Sequence, residues 1–335
     1  MKFALMMDDC AINSYYIKDK VAYDFNDNPY VYHHAVSPEC FSAMQNLPFI
    51  FEEGYFFNWA ELDELPDVDF DLIFYDNGKI GLDDKNYDKF CVDRLRDKYP
   101  KAKIFGWIKE VWVGTSNNYN HPRHLNRIKF LNECDAVITS GISTFKRLDV
   151  FTQLKENVNK KFNFIGQPVN TDYLYDNFYS GYKDSCIYAY VPNPVHRRGR
   201  TYAFAEYIGK KYNIEVRYKP LQSGQKFDYL SLKEFIELWS KCAFHFNLDP
   251  ENYYPGNQCM QAASVGCINI GGLNESHTIL FPTTATCDEK ILEELFVEYL
   301  TEEAARFKAI EYAWTKLHEI YSFDSVRKQI EGLEY

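Results

Sequence analysis

The chain has 335 residues, which is too long for one ordinary core and fits two α/β domains of typical size. Its hydrophobic fraction of 46% and charged fraction of 25% are those of a globular protein, although 27 tyrosines and 26 phenylalanines make it unusually aromatic. Residues 1–100 hold 20 acids against 9 lysines and arginines and so carry the whole net charge of −11, a balance that argues against avid nucleic-acid binding.

Hydropathy and cysteine usage predict a cytoplasmic protein with no membrane partner, in the host cell if the protein is viral. No apolar run approaches the length of a membrane span, and the first apolar stretch ends at Asp8 and Asp9 after only five apolar residues. The nine cysteines include no CxxC pair and lie mostly in apolar segments, so we expect reduced core residues.

Short β-rich runs alternate with helical patterns from the first residues onward, which predicts α/β layers around parallel sheets. In the N-terminal part the predicted strands are residues 2–7, 30–35, 71–75, 103–107 and 136–139. Apolar spacing predicts helices over residues 85–99 and 122–132.

The second set of elements begins with a strand at residues 187–191 and again alternates in type. It continues as helix 200–212, strand 214–219, helix 231–242, strand 244–248, helix 257–265 and strand 267–270, followed by a long helix over 302–318. The sequence therefore predicts two α/β domains, 1–180 and 181–315, with a final segment 316–335.

The segment 249–272 combines a strand, an irregular loop, a helix and a further strand. Gly256 opens the helix, and a glycine there lets the backbone approach a ligand. The first N–H groups of the helix, from Asn257, Gln258 and Cys259, would face an anion such as a diphosphate. A plain loop-to-helix turn is the alternative.

A basic loop, VPNPVHRRGR at residues 191–200, directly follows the first strand of the second set. Arg197, Arg198 and Arg200 would supply the bidentate cationic contacts that a donor diphosphate needs. An exposed basic loop without a ligand is the alternative.

An apolar strand at residues 104–108 ends in Lys109 and Glu110. Because strand ends at the carboxyl edge of a parallel sheet line a cleft, Glu110 could take the proton from an attacking hydroxyl. A surface Lys–Glu pair is the alternative for these two residues. Asp9, Lys109, Trp112 and Arg123 are the candidates for binding the acceptor, the molecule that carries this hydroxyl, although Asp9 fits a solvated turn better.

Two other kinds of site have little support. The sequence lacks a GxGxxG fingerprint, which argues against a dehydrogenase. His121 and His124 are accompanied by no further ligand pattern, so no metal site is predicted.

The segment from Gly256 resembles the donor-binding helix of GT-B glycosyltransferases, which opens with a glycine and carries a ribose-binding glutamate five residues later. Gln261 stands on the glutamate position and keeps hydrogen-bonding capacity without the charge. The first acid of the family's glutamate pair would fall near Tyr254 and is missing. Tyr254 and Gln261 are the candidates for the donor ribose and base.

This resemblance implies an α/β protein of GT-B type, with two Rossmann-like domains facing a central cleft and the last segment packed back on the first domain. It implies a nucleotide-sugar co-substrate, with UDP the expected nucleotide. The arginines and helix N–H groups would stabilise the departing diphosphate, so no cofactor is required, and a divalent metal is compatible but not predicted.

Two further segments resemble phage DNA β-glucosyltransferases, which glucosylate hydroxymethylcytosine. Residues 104–110 place Glu110 on the position of their catalytic aspartate, and residues 137–143 match a second segment. The likeness implies an inverting reaction with Glu110 as general base. Together with the basic stretch 101–131, it favours a 5-hydroxymethylpyrimidine in DNA as acceptor and DNA as a partner.

The expected activity is therefore that of a glycosyltransferase, either a hexosyl- or a pentosyltransferase. A soluble or cell-surface glycan is the rival acceptor. A nucleotide-sugar epimerase and a non-catalytic nucleotide-sugar binding protein are the alternatives from other classes.

Overall fold

The computed structural model describes residues 1–7, 13–30, 44–58, 67–76, 91–108, 122–140, 154–180, 183–189, 199–218, 232–248 and 257–334. These residues form two compact units. The first contains the described parts of Met1–Ser37 and Ala43–Gln167 together with Val326–Tyr335, and the second contains those of Pro168–Ser325.

The first unit is built on an eight-stranded sheet with the strand order β3-β2-β4-β1-β5-β6-β7-β8. Six strands run parallel, and the hairpin of β2 and β3 is antiparallel. The strands are β1 (Lys2–Met7), β2 (Tyr15–Lys18), β3 (Val21–Tyr23), β4 (Glu53–Asn58), β5 (Leu72–Asp76), β6 (Lys103–Ile108), β7 (Ala136–Thr139) and β8 (Phe162–Phe164).

Helices cover this sheet because its central strands are apolar on both faces. A 3₁₀ helix spans Met44–Ile50, α1 spans Val92–Lys98 and α2 spans Pro122–Glu133. Val92 of α1 and Leu131 of α2 are buried in one core with Ile73 and Ile104 of the sheet. The predicted strand 30–35 and the start of the predicted helix 85–99 lie largely outside the described residues.

The second unit has a four-stranded, wholly parallel sheet in the order β10-β9-β11-β12. Helices and strands alternate, as the sequence predicts for a doubly wound domain. The elements are α3 (Thr171–Phe178), β9 (Asp184–Ala189), α4 (Gly199–Tyr212), β10 (Val216–Tyr218), α5 (Leu232–Lys241), β11 (Cys242–Phe246), α6 (Asn257–Ser264), β12 (Ile268–Ile270), α7 (Glu275–Leu280), α8 (Glu289–Thr301) and α9 (Glu303–Tyr321).

The last helix, α10 (Phe323–Glu331), carries the chain into the first unit. The Arg327 guanidinium donates to the carbonyl oxygen of Ile50 at 2.7 Å, and the side-chain oxygen of Gln329 accepts from the N–H of Gly166 at 2.8 Å. The first unit is therefore discontinuous in sequence.

The two units divide at 167/168 and 325/326, whereas the sequence places the divisions at 180/181 and 315/316. The difference arises because α3 packs against α5 and α6, and the whole of α9 packs against α6, α7 and α8. Both helices thus belong to the second unit.

All seven cysteines in the described ranges are free thiols, and five of them are buried. Among the same residues, no helix combines the length and apolar character that crossing a bilayer requires.

Candidate functional site

The candidate site lies at the carboxyl edge of the second sheet. The strands β9, β11 and β12 end there at Ala189, Phe246 and Ile270, and the helices α4, α6 and α7 begin after them. In an open parallel sheet, ligands bind at this edge, where helix N–H groups point outward. The described starts of α4 and α6 therefore follow strands that end at this edge.

Helix α6 is buried along most of its length, with Met260, Ala262 and Ala263 in the core. The side chain of Gln261 is only 1% exposed, and its Nε2 has no hydrogen-bond partner among the described residues. An unpaired buried amide costs about 1–3 kcal/mol. The Gln261 amide nitrogen is thus a hydrogen-bond donor without a described protein partner. It stands at the position that the family resemblance assigns to binding the ribose of the nucleotide-sugar.

A buried polar network joins α6 to the two strands beside it. Nδ1 of His245 on β11 is hydrogen-bonded to Oδ1 of Asn269 on β12, and Nδ2 of Asn269 donates to the carbonyl oxygen of Cys259 on α6 at 3.2 Å. Since hydrogen bonds of this kind fix side-chain and backbone positions together, α6 is held at a defined height above the sheet.

Two glycines form the turn that follows β12. Gly271 and Gly272 have φ angles of +84° and +93°, which favour glycine. A Cβ on Gly272 would lie 2.6 Å from the carbonyl oxygen of Asn247, so the two backbone segments approach too closely for any side chain. The turn therefore packs its backbone directly against the segment that follows β11.

The segment after β11 is also fixed by buried polar contacts. The N–H of Leu248 donates to Oγ1 of Thr201 on α4 at 2.9 Å. The side chain of Asn247 is buried, and its Oδ1 has no hydrogen-bond partner in the part of the chain that the structure describes. Oδ1 of Asn247 is thus a hydrogen-bond acceptor, and Nε2 of Gln261 a hydrogen-bond donor, without a partner among the described protein groups.

His277 on α7 is a buried, neutral imidazole near the turn that follows β12. Burial, and secondly the neighbouring His245, lower the pKa of His277 to about 3. Its Nε2 lies 2.9 Å from Oγ1 of Thr284, whose hydroxyl donates to the carbonyl oxygen of Asn269 at 2.6 Å. The hydroxyl proton is therefore committed, and Nε2–H of His277 is the donor to Thr284.

Arg200, one of the three predicted diphosphate ligands, stands in the first turn of α4. Its Nε lies 2.6 Å from Oε1 of Glu289 on α8, and its Nη2 donates to the carbonyl oxygen of Cys287 at 2.5 Å. Its charge is thus opposed by a carboxylate, and the guanidinium ties α4 to α8.

The other predicted site residues are positioned in part. Asn257 and Arg123 are described through their backbones in α6 and α2, and Gln258 is half-buried in the first turn of α6. The remaining candidates lie outside the described residues: Asp9, Lys109, Glu110, Trp112, Arg197, Arg198, Tyr254 and Gly256. Because β6 ends at Ile108, Glu110 is the second residue beyond a buried strand.

No cluster of three or more histidine, cysteine, aspartate or glutamate side chains suited to a metal ion occurs within the described ranges.

Sequence reasoning missed several polar residues of this edge, namely Thr201, Asn247, Asn269, His277 and Thr284. One signal was available, because the pair Gly271–Gly272 directly follows an apolar strand and marks a close backbone approach. The partners of His277 become visible only when β12 and α7 are placed side by side.

The chain was compared with family models, with curated sequences and with solved structures. No family model matches the chain, and no curated protein matches its sequence. Trehalose-6-phosphate synthase, in a structure on glycosyl transfer with retention, aligns at a TM-score of 0.58 with 11% identity, covering 81% of this chain and 74% of the other. The fold is that of the GT-B glycosyltransferases.

Two further solved structures share this GT-B fold. The E. coli trehalose-6-phosphate structure bound with UDP-2-fluoro glucose has a TM-score of 0.58 and 10% identity, covering 80% of this chain and 73% of that one. Anabaena Alr3699/HepE, in complex with UDP, has a TM-score of 0.52 and 9% identity, covering 78% of each chain. The predicted fold class is confirmed.

Proposed function

We propose that the protein is a glycosyltransferase that moves a hexose from a UDP-sugar to an acceptor hydroxyl. The observation that carries the proposal is the carboxyl edge of the second sheet, where α6 begins and the Gly271–Gly272 turn follows β12, together with one buried amide atom each of Asn247 and Gln261 that has no hydrogen-bond partner among the described residues. Two proteins with the same fold were solved with UDP-2-fluoro glucose and with UDP, which supports a uridine nucleotide as the donor.

The proposed mechanism depends on charge at the departing diphosphate. Arg197 and Arg198, together with the first N–H groups of α6, would meet that charge as it develops. Gln261 would hydrogen-bond a ribose hydroxyl through its buried amide. Glu110 would accept the proton of the attacking hydroxyl if the reaction inverts the anomeric centre, and the scheme requires no metal.

For the acceptor we propose a glycan hydroxyl. In the basic stretch 101–131, Lys101 lies 3.7 Å from Asp69 and Lys129 lies 3.9 Å from Glu133. Acidic neighbours that offset basic side chains weaken the attraction for a polyanion. This pairing supports a neutral acceptor over DNA.

A 5-hydroxymethylpyrimidine in DNA is the second candidate acceptor, and it is favoured by the similarity of residues 104–110 and 137–143 to phage enzymes. Binding to hydroxymethylated and unmodified duplexes, measured over a range of salt concentrations, separates the two acceptors. A steep fall of affinity with salt and a preference for the modified duplex would identify DNA as the acceptor.

The first test of the donor proposal is a thermal-shift screen against UDP, UDP-glucose, UDP-galactose, UDP-N-acetylglucosamine, GDP-mannose and ADP-glucose. A ligand that binds only the native state raises the apparent melting temperature, and we expect the uridine compounds to do so. If none of the nucleotides stabilises the protein, the proposal is wrong.

Variants then separate binding from chemistry. We expect Arg198→Ala to weaken UDP binding about tenfold or more, since it removes a charge-assisted contact. Glu110→Gln should keep UDP binding and lower transfer about a hundredfold. Lys210→Ala, an exposed i,i+4 partner of Glu206 on α4, is the matched control and should change neither.

The alternatives from other classes give different results in the same assay. An epimerase would convert the UDP-sugar without any acceptor, and a non-catalytic protein would bind it without turnover. Unchanged activity in both Arg198→Ala and Glu110→Gln would refute the residue assignments.

A further inference from the structure

We propose that the second unit carries another binding pocket, for a neutral oligosaccharide, at the amino edge of its sheet. As a second site for a glycan acceptor, away from the reacting hydroxyl, it rests on the proposed function. The pocket is a cavity of about 480 Å³, within the size range of small-ligand sites. Its lining combines aromatic rings with hydroxyl, amide and charged groups, among them Tyr173, Asn177, Tyr179, Glu237 and Lys241.

The position of this pocket separates it from the donor site. Its lining comes from the end of α3 and the end of α5, and Lys241 directly precedes β11. The donor segments follow the opposite ends of the same strands. The six residues of β9 span about 20 Å, so a ligand here would not touch the donor.

The polar groups of the pocket favour a neutral polyhydroxyl ligand. It contains one carboxylate, Glu237, and one ammonium, Lys241, so that its formal charges cancel. A phosphate in the pocket would meet the Glu237 carboxylate, which disfavours nucleotides and sugar phosphates. The amide of Asn177, the carboxylate and the hydroxyls together offer both donors and acceptors, as the hydroxyl groups of a sugar require.

An aromatic strip continues from the pocket across the surface of the same unit. The Tyr179 ring stacks on that of Tyr175 with centroids 4.6 Å apart, and Tyr175 lies 5.0 Å from Trp314. Tyr175 is 44% exposed. Exposed aromatic groups that cluster are a feature of binding surfaces, and the C–H face of a pyranose packs well on such rings. The strip gives room for further sugars beyond the one in the cavity.

The half-buried Lys183 contacts the pocket wall. Nζ of Lys183 donates to the carbonyl oxygens of Ser240, at 2.7 Å, and Val265, and it lies 5.8 Å from the Tyr179 ring centroid. The same ring packs so tightly on Gly266 that an added Cβ would lie 2.6 Å from it. These contacts restrict the Tyr179 ring, so binding would cost little ordering of this side chain.

The test measures direct binding of the full chain to di- to hexasaccharides of the cello, malto and N-acetylchito series, by calorimetry or ligand-observed NMR. We expect at least one series to bind, with affinity that rises with chain length because the longer sugars reach the aromatic strip. Tyr179→Ala and Glu237→Gln should each weaken that binding about tenfold. Tyr312→Ala removes a tyrosine of α9 that is as exposed as Tyr175, and it should leave oligosaccharide binding unchanged.

The failures of this proposal and of the proposed function are distinguishable. UDP binding and turnover without oligosaccharide binding, or oligosaccharide binding that survives both Tyr179→Ala and Glu237→Gln, would overturn the pocket alone. Oligosaccharide binding without any UDP binding would support the pocket and overturn the transferase. Glu237→Gln preserves the side-chain volume, so its result stands even if Tyr179→Ala fails to fold.

Discussion

The two units of the molecule differ in the kinds of side chain that they bury. Among the described residues, the second unit buries thirteen polar or charged side chains and the first buries six. The second unit's set lies mostly along β11, β12, α6 and α7, beside the proposed donor site. The first unit instead fills its sheet with rings, for example Phe3 against Phe74 and Phe51.

This difference separates two uses of a similar sheet. Apolar burial stabilises without requiring partners, whereas each buried polar group must find one or lower the stability of the fold. In the second unit these polar groups lie mostly beside the proposed donor site, and one atom each of Asn247 and Gln261 has no hydrogen-bond partner among the described residues. Changes in the two units should accordingly differ in whether they affect UDP binding as well as folding.

The largest effect is expected from Gly272→Ala. A methyl group there meets the Asn247 carbonyl at a φ of +93°, so we expect the free energy of unfolding to fall by about 3 kcal/mol. The same change displaces the turn at the donor site and should weaken UDP binding in the fraction that still folds. Urea denaturation and calorimetry measure the two quantities.

Gly54→Ala is the matched change in the first unit. Its Cβ would lie 2.0 Å from the carbonyl oxygen of Pro48, so it should destabilise by a similar amount, about 3 kcal/mol. UDP affinity per folded molecule should stay unchanged, because Gly54 lies in β4. Equal losses of UDP affinity in the two variants would contradict the division of roles between the units.

An intermediate effect is expected from pH, through His277. Its folded pKa of about 3 lies below the ordinary value of 6.5, so its contribution to stability is fully present above pH 6.5 and is lost as the pH falls from 6.5 towards 3. The largest slope from this one group is about 1.4 kcal/mol per pH unit. Urea denaturation over that pH range measures it.

His277→Gln should flatten this part of the pH profile, while Thr284→Val should lower stability at every pH and keep the slope. Thr284→Val is the control because it removes the hydrogen-bond partner of His277 without removing the titrating group. An unchanged slope in His277→Gln would show that other groups dominate the acid response.

The smallest effect is expected at the edge of the first sheet. A hydrogen bond from its hydroxyl to Asp27, and secondly burial, raise the pKa of Tyr16 to about 12. We expect Asp27→Asn to bring this pKa back towards about 10, as an alkaline NMR titration would show. Stability should change by less than about 0.5 kcal/mol at this surface position.

Much of the fold was predictable because strong local patterns coincide with its elements. The strands β1 and β7 have the predicted bounds, and α6 begins at Asn257 as predicted. The strands β2, β3 and β8, with three or four residues each, were missed, and so was β4, which has six residues. In the β2–β3 turn, Asp19 and Lys20 have positive φ angles. Because neither residue is glycine, the sequence lacks the usual signal for such a turn.

The junction of α5 and β11 shows a different limit. The sequence predicts that the helix ends at residue 242 and the strand begins at 244, whereas Lys241 ends the helix and Cys242 begins the strand directly. Cys242 is apolar enough to suit either element, and only pairing with β9 decides its place.

Residue type and position single out Arg200 and Gln261 in the sequence, and their roles in donor binding stay predictions. The candidate site was not predictable where the role of a residue depends on neighbours distant in sequence. Arg200 faces Glu289 across 89 positions, and Asn269 meets His245 across 24. Such pairs follow from the order of strands in the sheet, which no local pattern contains.

The return of α10 to the first unit has a consequence for how the protein is made. Arg327 is synthesised 277 positions after its partner Ile50, so a ribosome must translate those residues before this contact of the first unit can form. Until α10 has been synthesised, the first unit lacks this helix, although the residues of the second unit have already been translated. A gene fragment that stops before α10 would produce a first unit without the contacts of Arg327 and Gln329.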